Sequence, residues 1–212
     1  MTQEPRARRT NVERAAETVD LIINATLDAI AEVGLRSATT GEISRRAGVS
    51  IGALFHHFAT RLDLIVAAVD YNLTDRYTRV SSFVDQAALQ ESFRLDHPRA
   101  LLRLVRSITR EPRSMVWIEV LNAARTDAEL RDRVTPLLAR QRDLFRSVAL
   151  THPNLAAMTE TDRMTWVELL RNIVNGEAVW RIVMPHHDVD DAKLDALLVL
   201  AAAMGAEPPP AR

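Results

Sequence analysis

The 212 residues carry 27 Lys+Arg against 28 Asp+Glu, with 47% hydrophobic and 26% charged residues, which excludes a disordered chain and allows one large helical domain or a small one joined to a larger. No cysteine is present, so disulfide frameworks and thiolate metal sites are excluded, in keeping with a reducing cytoplasm. No apolar run reaches the ~18 residues a membrane span needs, and no apolar stretch follows the basic N-terminus MTQEPRARRT as a secretory signal would require, so a cytoplasmic location without membrane association is expected.

Residues 1–11, with Arg6, Arg8 and Arg9, are expected to be a mobile arm. From about Glu13 to Val33 the apolar residues Val19, Ile23, Leu27 and Ile30 recur at helical spacing, and Gly34 is a helix stop. Thr39 and Glu42 fit a capping box opening a short helix with Ile43 and Ala47 on one face, ended by Gly48. A second short helix follows Val49-Ser50 and carries Leu54 and Phe58. Thr60-Arg61-Leu62-Asp63 is another capping box, opening a long helix to about Val84, and 85–97 is expected as a loop. Further helices are expected over Arg99–Thr109 after Pro98, from Pro112 to about Ala124, over 127–150 with a kink or break at Pro136, from Thr159 to about Val183, and over 190–204. His152-Pro153-Asn154 reads as a turn, Pro185 as a stop and 207–212 as a disordered tail. The class is all-α with about nine helices, divided into residues 1–60, 61–206 and the tail.

The two short helices around Gly48-Val49-Ser50 form a helix-turn-helix. Ala47 is small where the helices cross, Gly48 admits positive φ, and Ile43, Val49, Leu54 and Phe58 bury together. Ser50, Ile51, Gly52, Ala53, His56 and His57 then face outward, and small residues at the start of the second helix let its backbone approach base edges in a major groove. Thr40 and Ser50, each at a helix start, are candidate phosphate contacts, and Arg45, Arg46 and Arg61 supply local positive charge.

The stretch Thr40-Gly41-Glu42-Ile43-Ser44-Arg45-Arg46-Ala47-Gly48-Val49-Ser50-Ile51-Gly52-Ala53-Leu54-Phe55-His56-His57-Phe58 resembles the TetR-type repressor signature, T-x-x-I-A-x-x-A-G-V-S-x-G-x-L-Y-x-Y-F. The likeness covers about residues 15–70, and Trp117–Leu130 resembles many C-terminal domains of that family. The resemblance implies a three-helix DNA-binding domain and a C-terminal helical domain for ligand binding and dimerisation. It places the family's phosphate-contacting Thr on Thr40, its recognition helix on Ser50–His57, its aromatic phosphate contact on His57 and the Lys of its following turn on Arg61. Three departures bear on the operator: Phe55 for the usual Tyr, a minor loss where the ring is packed; His57 for Tyr, which introduces a pH-sensitive group; and Ala53 for a frequent Thr.

The helix from Thr159 is apolar nearly all round, so one face is expected to meet its own domain and another a symmetry mate, with Trp166, Leu170, Ile173, Val174, Leu194, Leu197 and Leu198 at the dimer interface. The resemblance implies an internal pocket, for which Phe83, Met115, Trp117 and Trp166 are the candidates. His56-His57 and His186-His187 lack the further convergent ligands a metal needs, so no metal and no cofactor are expected. No nucleophile elbow, P-loop or dinucleotide fingerprint points to an enzyme. The expected function is a homodimeric repressor released from palindromic operator DNA by a small-molecule effector; the alternative is an interaction module that keeps the fold without specific operator binding.

Overall fold

The computed structural model describes residues 11–89, 97–152, 155–184 and 190–205. Among them the chain forms nine α-helices, α1 (Asn11–Ser37), α2 (Thr40–Ala47), α3 (Ile51–His57), α4 (Arg61–Leu89), α5 (His97–Thr109), α6 (Val116–Ala124), α7 (Ala128–Thr151), α8 (Glu160–Trp180) and α9 (Asp190–Ala203), with a 3₁₀ turn at Pro112–Met115. Residues 85–89 of the expected loop instead continue α4, His97 already belongs to α5 and Asn11 to α1; the rest of that loop and of the expected arm, the turn after His152, Pro185 with His186-His187, and the 207–212 tail lie outside the described residues. No single described helix is long and apolar enough to cross a membrane.

The chain divides into two compact units, Met1–Tyr71 and Asn72–Arg212. The division falls inside α4, beyond the 60/61 boundary set by the capping box, because the buried stripe Leu64, Ile65, Ala68 and Val69 of α4 belongs to the first unit.

In the first unit, Ile22, Ile23, Leu27 and Ile30 of α1 are buried with Ile43 of α2, Leu54 of α3 and Phe58. Full burial of one such side chain stabilises by about 1.5–3 kcal/mol. The α1 helix breaks at Gly34, whose φ 81 and ψ 159 lie in a region essentially confined to glycine.

The second unit holds two apolar clusters. Leu102 of α5, Leu155 and Met158, Trp166, Leu170 and Val174 of α8, and Leu194, Leu197 and Ala201 of α9 form one. Val80 and Val84 of α4 with Leu101 and Ile108 of α5 form the other, covered in part by Phe83 and Phe145. Ion pairs tie α5 and the residue after it to their neighbours: Arg106 to Asp191 at 2.9 Å and Arg99 to Asp195 on α9, and Arg110, just past α5, to Glu177 on α8. Pro136 lies inside α7, which runs on without a break, and the expected helix from Pro112 begins as the 3₁₀ turn.

Candidate nucleic-acid interface and internal cavity

The turn between α2 and α3 is fixed by backbone chemistry. Gly48 sits in the left-handed region (φ 67, ψ 28). Its N–H donates to Arg45 O at 3.4 Å and the Val49 N–H donates to Ser44 O at 3.1 Å, the paired bonds that close a Schellman motif. Ser50 then caps α3, its Oγ accepting the Ala53 N–H at 3.0 Å. The bond uses a lone pair of that oxygen, so the hydroxyl proton stays available for the expected phosphate contact. Leu54, fully buried, anchors α3 from beneath.

With Leu54 and Phe58 inward, the outer face of α3 carries Ile51, Gly52, Phe55 and His56, while Ala53 and His57 are half-buried. Ile51 is 50% and Phe55 44% exposed. The Phe55 ring is thus not packed away, contrary to the condition under which loss of the Tyr hydroxyl would be minor. Phe55 stands one turn after Ile51, and sequence reasoning missed it as a surface residue; the 3.6-residue period that buries Leu54 and Phe58 was the available signal. His56 and His57 meet edge to face, their centroids 5.2 Å apart.

Thr39 caps α2 by accepting the Glu42 N–H at 3.2 Å. The reciprocal half of the capping box is replaced, since the Thr39 N–H donates to Ser37 O at 2.8 Å. The Glu42 carboxylate instead accepts from Arg45 (2.7 and 3.0 Å) and from Arg46 (2.7 Å). Arg46 also reaches Glu32 of α1 at 2.6 Å. Hydrogen bonds from Arg45 and Arg46 hold the Glu42 carboxyl at about 2, well below its usual 4.5. Arg45 remains largely exposed, and Thr40 is half-buried.

Arg61 has a structural partner set that the sequence did not show. Its Nε donates to Ala38 O at 3.3 Å and its Nη2 to Leu35 O, so the guanidinium braces the α1–α2 connection from the first turn of α4. The second capping box is complete: Asp63 N–H donates to Thr60 Oγ1, and Thr60 N–H to the Asp63 carboxylate, both at 3.0 Å.

The second unit contains a cavity of about 550 Å³, within the range that holds small organic ligands. Trp117 and Trp166 line it, together with Arg76, Leu101, Leu121 and Phe145. Phe83 and Met115 are not among its lining residues: Phe83 packs on the α4–α5 cluster, and Met115 ends the 3₁₀ turn. Trp166 also donates its Nε1–H to Leu197 O at 2.9 Å, which joins α8 to α9.

The expected interface set divides in two. Trp166, Leu170, Val174, Leu194 and Leu197 are buried inside the subunit, and Leu198 packs against the same cluster. The first five side chains are covered by their own domain, Leu198 is half-buried, and Ile173 is exposed. The exposed apolar side chains there are Leu169, Ile173, Val179 and Trp180 of α8 and Val199 of α9. A groove between the two helices is lined by Ile173, Gly176, Trp180, Ala196 and Leu200.

Two short helices locked at a turn, with the second presenting an outward face, define a helix-turn-helix DNA-binding protein. Residues 22–68 match the family model described as bacterial regulatory proteins, tetR family. The HTH-type transcriptional regulator Rv2912c of Mycobacterium tuberculosis is 33% identical over 195 residues, 92% of this chain and 98% of that protein. The regulator BetI of Klebsiella pneumoniae is 50% identical over 48 residues, 23% of this chain and 25% of its own. Among solved structures, a TetR-family regulator from Rhodococcus matches with a TM-score of 0.67 at 20% identity, covering 90% of this chain and 100% of that one. The multidrug binding protein EbrR, solved with imidazole, matches with a TM-score of 0.62 at 19% identity over 91% and 96%. The chain belongs to the TetR family of helix-turn-helix transcriptional regulators, a family that binds DNA and, in general, small molecules.

Proposed function

We propose that this regulator is a cytoplasmic homodimeric repressor that reads an inverted-repeat operator through α3 and leaves it when an effector fills the cavity of the second unit. The observation that carries the reading is the outer face of α3: Ile51, Gly52, Phe55 and His56 project from a helix whose position is set by buried Leu54. That face bears no acidic residue, and Gly52 lets the backbone come close to base edges. Thr40, Arg45, Ser50, Ala53 and His57 surround it as candidate phosphate and base contacts, with Arg61 a further cation behind them.

The dimer is supported by the apolar groove between α8 and α9, where Ile173 and Trp180 are exposed and isologous packing would cover them. An effector is supported by the cavity and by the likeness to a structure described as a multidrug binding protein. Helix α4 carries both the Arg61 brace and the cavity residues Arg76 and Val80, so a shift of that one helix on ligand binding would change the operator-binding state.

Fluorescence anisotropy on the DNA upstream of its own gene, across a salt series with scrambled duplex as competitor, tests the reading. Tight, salt-sensitive binding that survives the competitor is expected. Equal, weak binding to both duplexes would favour the interaction module instead.

A further inference from the structure

We propose that the cavity binds an amphipathic organic anion, with Arg76 receiving the negative head group and the apolar walls its body. This rests on reading the cavity as the effector site, and it names the class of effector.

Arg76 stands on α4 at the cavity wall. Its Nε and Nη1 are buried and meet no acceptor among the described residues; its Nη2 has only the Thr109 hydroxyl, at 3.5 Å. The guanidinium carbon lies 6.0 Å from the centroid of the Trp117 ring. Burial pushes the Arg76 guanidinium down to about 10, partly offset by Glu111, so it is protonated at neutral pH. Glu111 does not neutralise it by contact, because its carboxylate accepts two hydrogen bonds from Arg79, at 2.7 and 2.6 Å.

Among the described residues the rest of the wall adds no negative charge. Arg142 and Arg171 also line the cavity, and no lining residue among the described ones is Asp or Glu. Arg171 is paired with Glu168, and Arg142 is exposed, so Arg76 is the cation held inside. Trp117 contributes a second unmet donor, its buried Nε1–H. Leu101, Val105, Leu121 and Phe145 supply apolar surface. A buried cation without a counterion is unfavourable, and a ligand anion that hydrogen-bonds to it removes that penalty in a way an uncharged ligand does not.

The test uses two fluorescent probes with the same anilinonaphthalene framework, 8-anilinonaphthalene-1-sulfonate, which is anionic, and N-phenyl-1-naphthylamine, which is neutral. Both are titrated into the full-length protein and its Arg76→Met, Trp117→Phe and Leu121→Trp variants. The anion is expected to bind the parent protein at least tenfold more tightly than the neutral probe. Arg76→Met should erase that preference by weakening the anion alone, Trp117→Phe should reduce it severalfold, and Leu121→Trp, which narrows the cavity, should weaken both probes. Arg76→Met is also expected to melt higher than the parent without ligand, since it removes an unpaired buried charge; a lower melting temperature would mean that Arg76 is a structural pair and would count against the proposal. If Leu121→Trp weakens both probes but the anion preference is absent, or survives Arg76→Met, the cavity binds ligands and the anion assignment is overturned. If neither probe responds to Leu121→Trp, the cavity is not their site and the effector reading falls with the proposal.

Discussion

Gly52 separates the demands of the fold from those of the interface. A Cβ built there meets only Ser50 Oγ, at an ordinary 3.8 Å, and its φ is not positive. The fold gives no reason for glycine, and in a helix glycine is less favourable than alanine by up to about 1 kcal/mol. Gly52→Ala is therefore expected to raise stability by a few tenths to about 1 kcal/mol in denaturant unfolding while weakening operator affinity; unchanged affinity would show that α3 does not bring its backbone close to DNA at that point. Glu42 gives a prediction in pH. Its folded pKa of about 2 lies below the usual 4.5, so its stabilising contribution is present above 4.5 and is lost as pH falls from there through about 2. The melting-temperature gap between the parent and Glu42→Gln should be constant at neutral pH and close within that window. A gap that persisted at pH 2 would mean that the Arg45 and Arg46 contacts do not depend on the carboxylate charge.

Helix boundaries follow from few residues. Thr39, Ser50, Thr60, Asp127 and Thr159 all cap as their spacing implies, because a side-chain oxygen three residues ahead of a free N–H reaches it without competition. The carboxylate half of the first box was not legible, since two arginines one turn on offer Glu42 stronger charged partners. The break in α1 and the turn after α2 both depend on glycine, but unequally. At Gly48 an added Cβ has open space and only the left-handed backbone is at issue, so Gly48→Ala is expected to cost about 1–2 kcal/mol. Gly34, at φ 81 and ψ 159, occupies a region that a Cβ forbids more strongly, so Gly34→Ala should cost more, on the order of 2–3 kcal/mol. Unfolding free energies for the two variants decide the order, and a larger loss at Gly48 would contradict this account.

At the scale of the molecule, periodicity located the apolar helices without saying which face meets what. The α8 sequence is apolar nearly all round, and only packing separates the buried stripe Trp166, Leu170 and Val174 from exposed Ile173 and Trp180. The cavity was half legible: Trp117 and Trp166 line it, whereas Arg76, which also lines it, was not among the candidates. The signal was there, because Arg76 falls three residues after buried Leu73 and four before buried Val80, on an apolar stripe. The exposed apolar groove carries its own prediction. Trp180, 61% exposed, contributes little to the subunit core, so Trp180→Glu should leave the circular dichroism spectrum intact and shift sedimentation from dimer to monomer. A dimer that survives the substitution would place the interface elsewhere.

The central claim, that α3 reads a specific DNA sequence as part of a symmetric pair, is tested most directly by selection from a random duplex pool with the full-length protein. The account expects enrichment of an inverted repeat whose half-site centres lie about 10 base pairs apart or a multiple of that, bound with an affinity that falls steeply with salt. No enriched sequence at any salt concentration, with weak binding indifferent to the duplex offered, would contradict it.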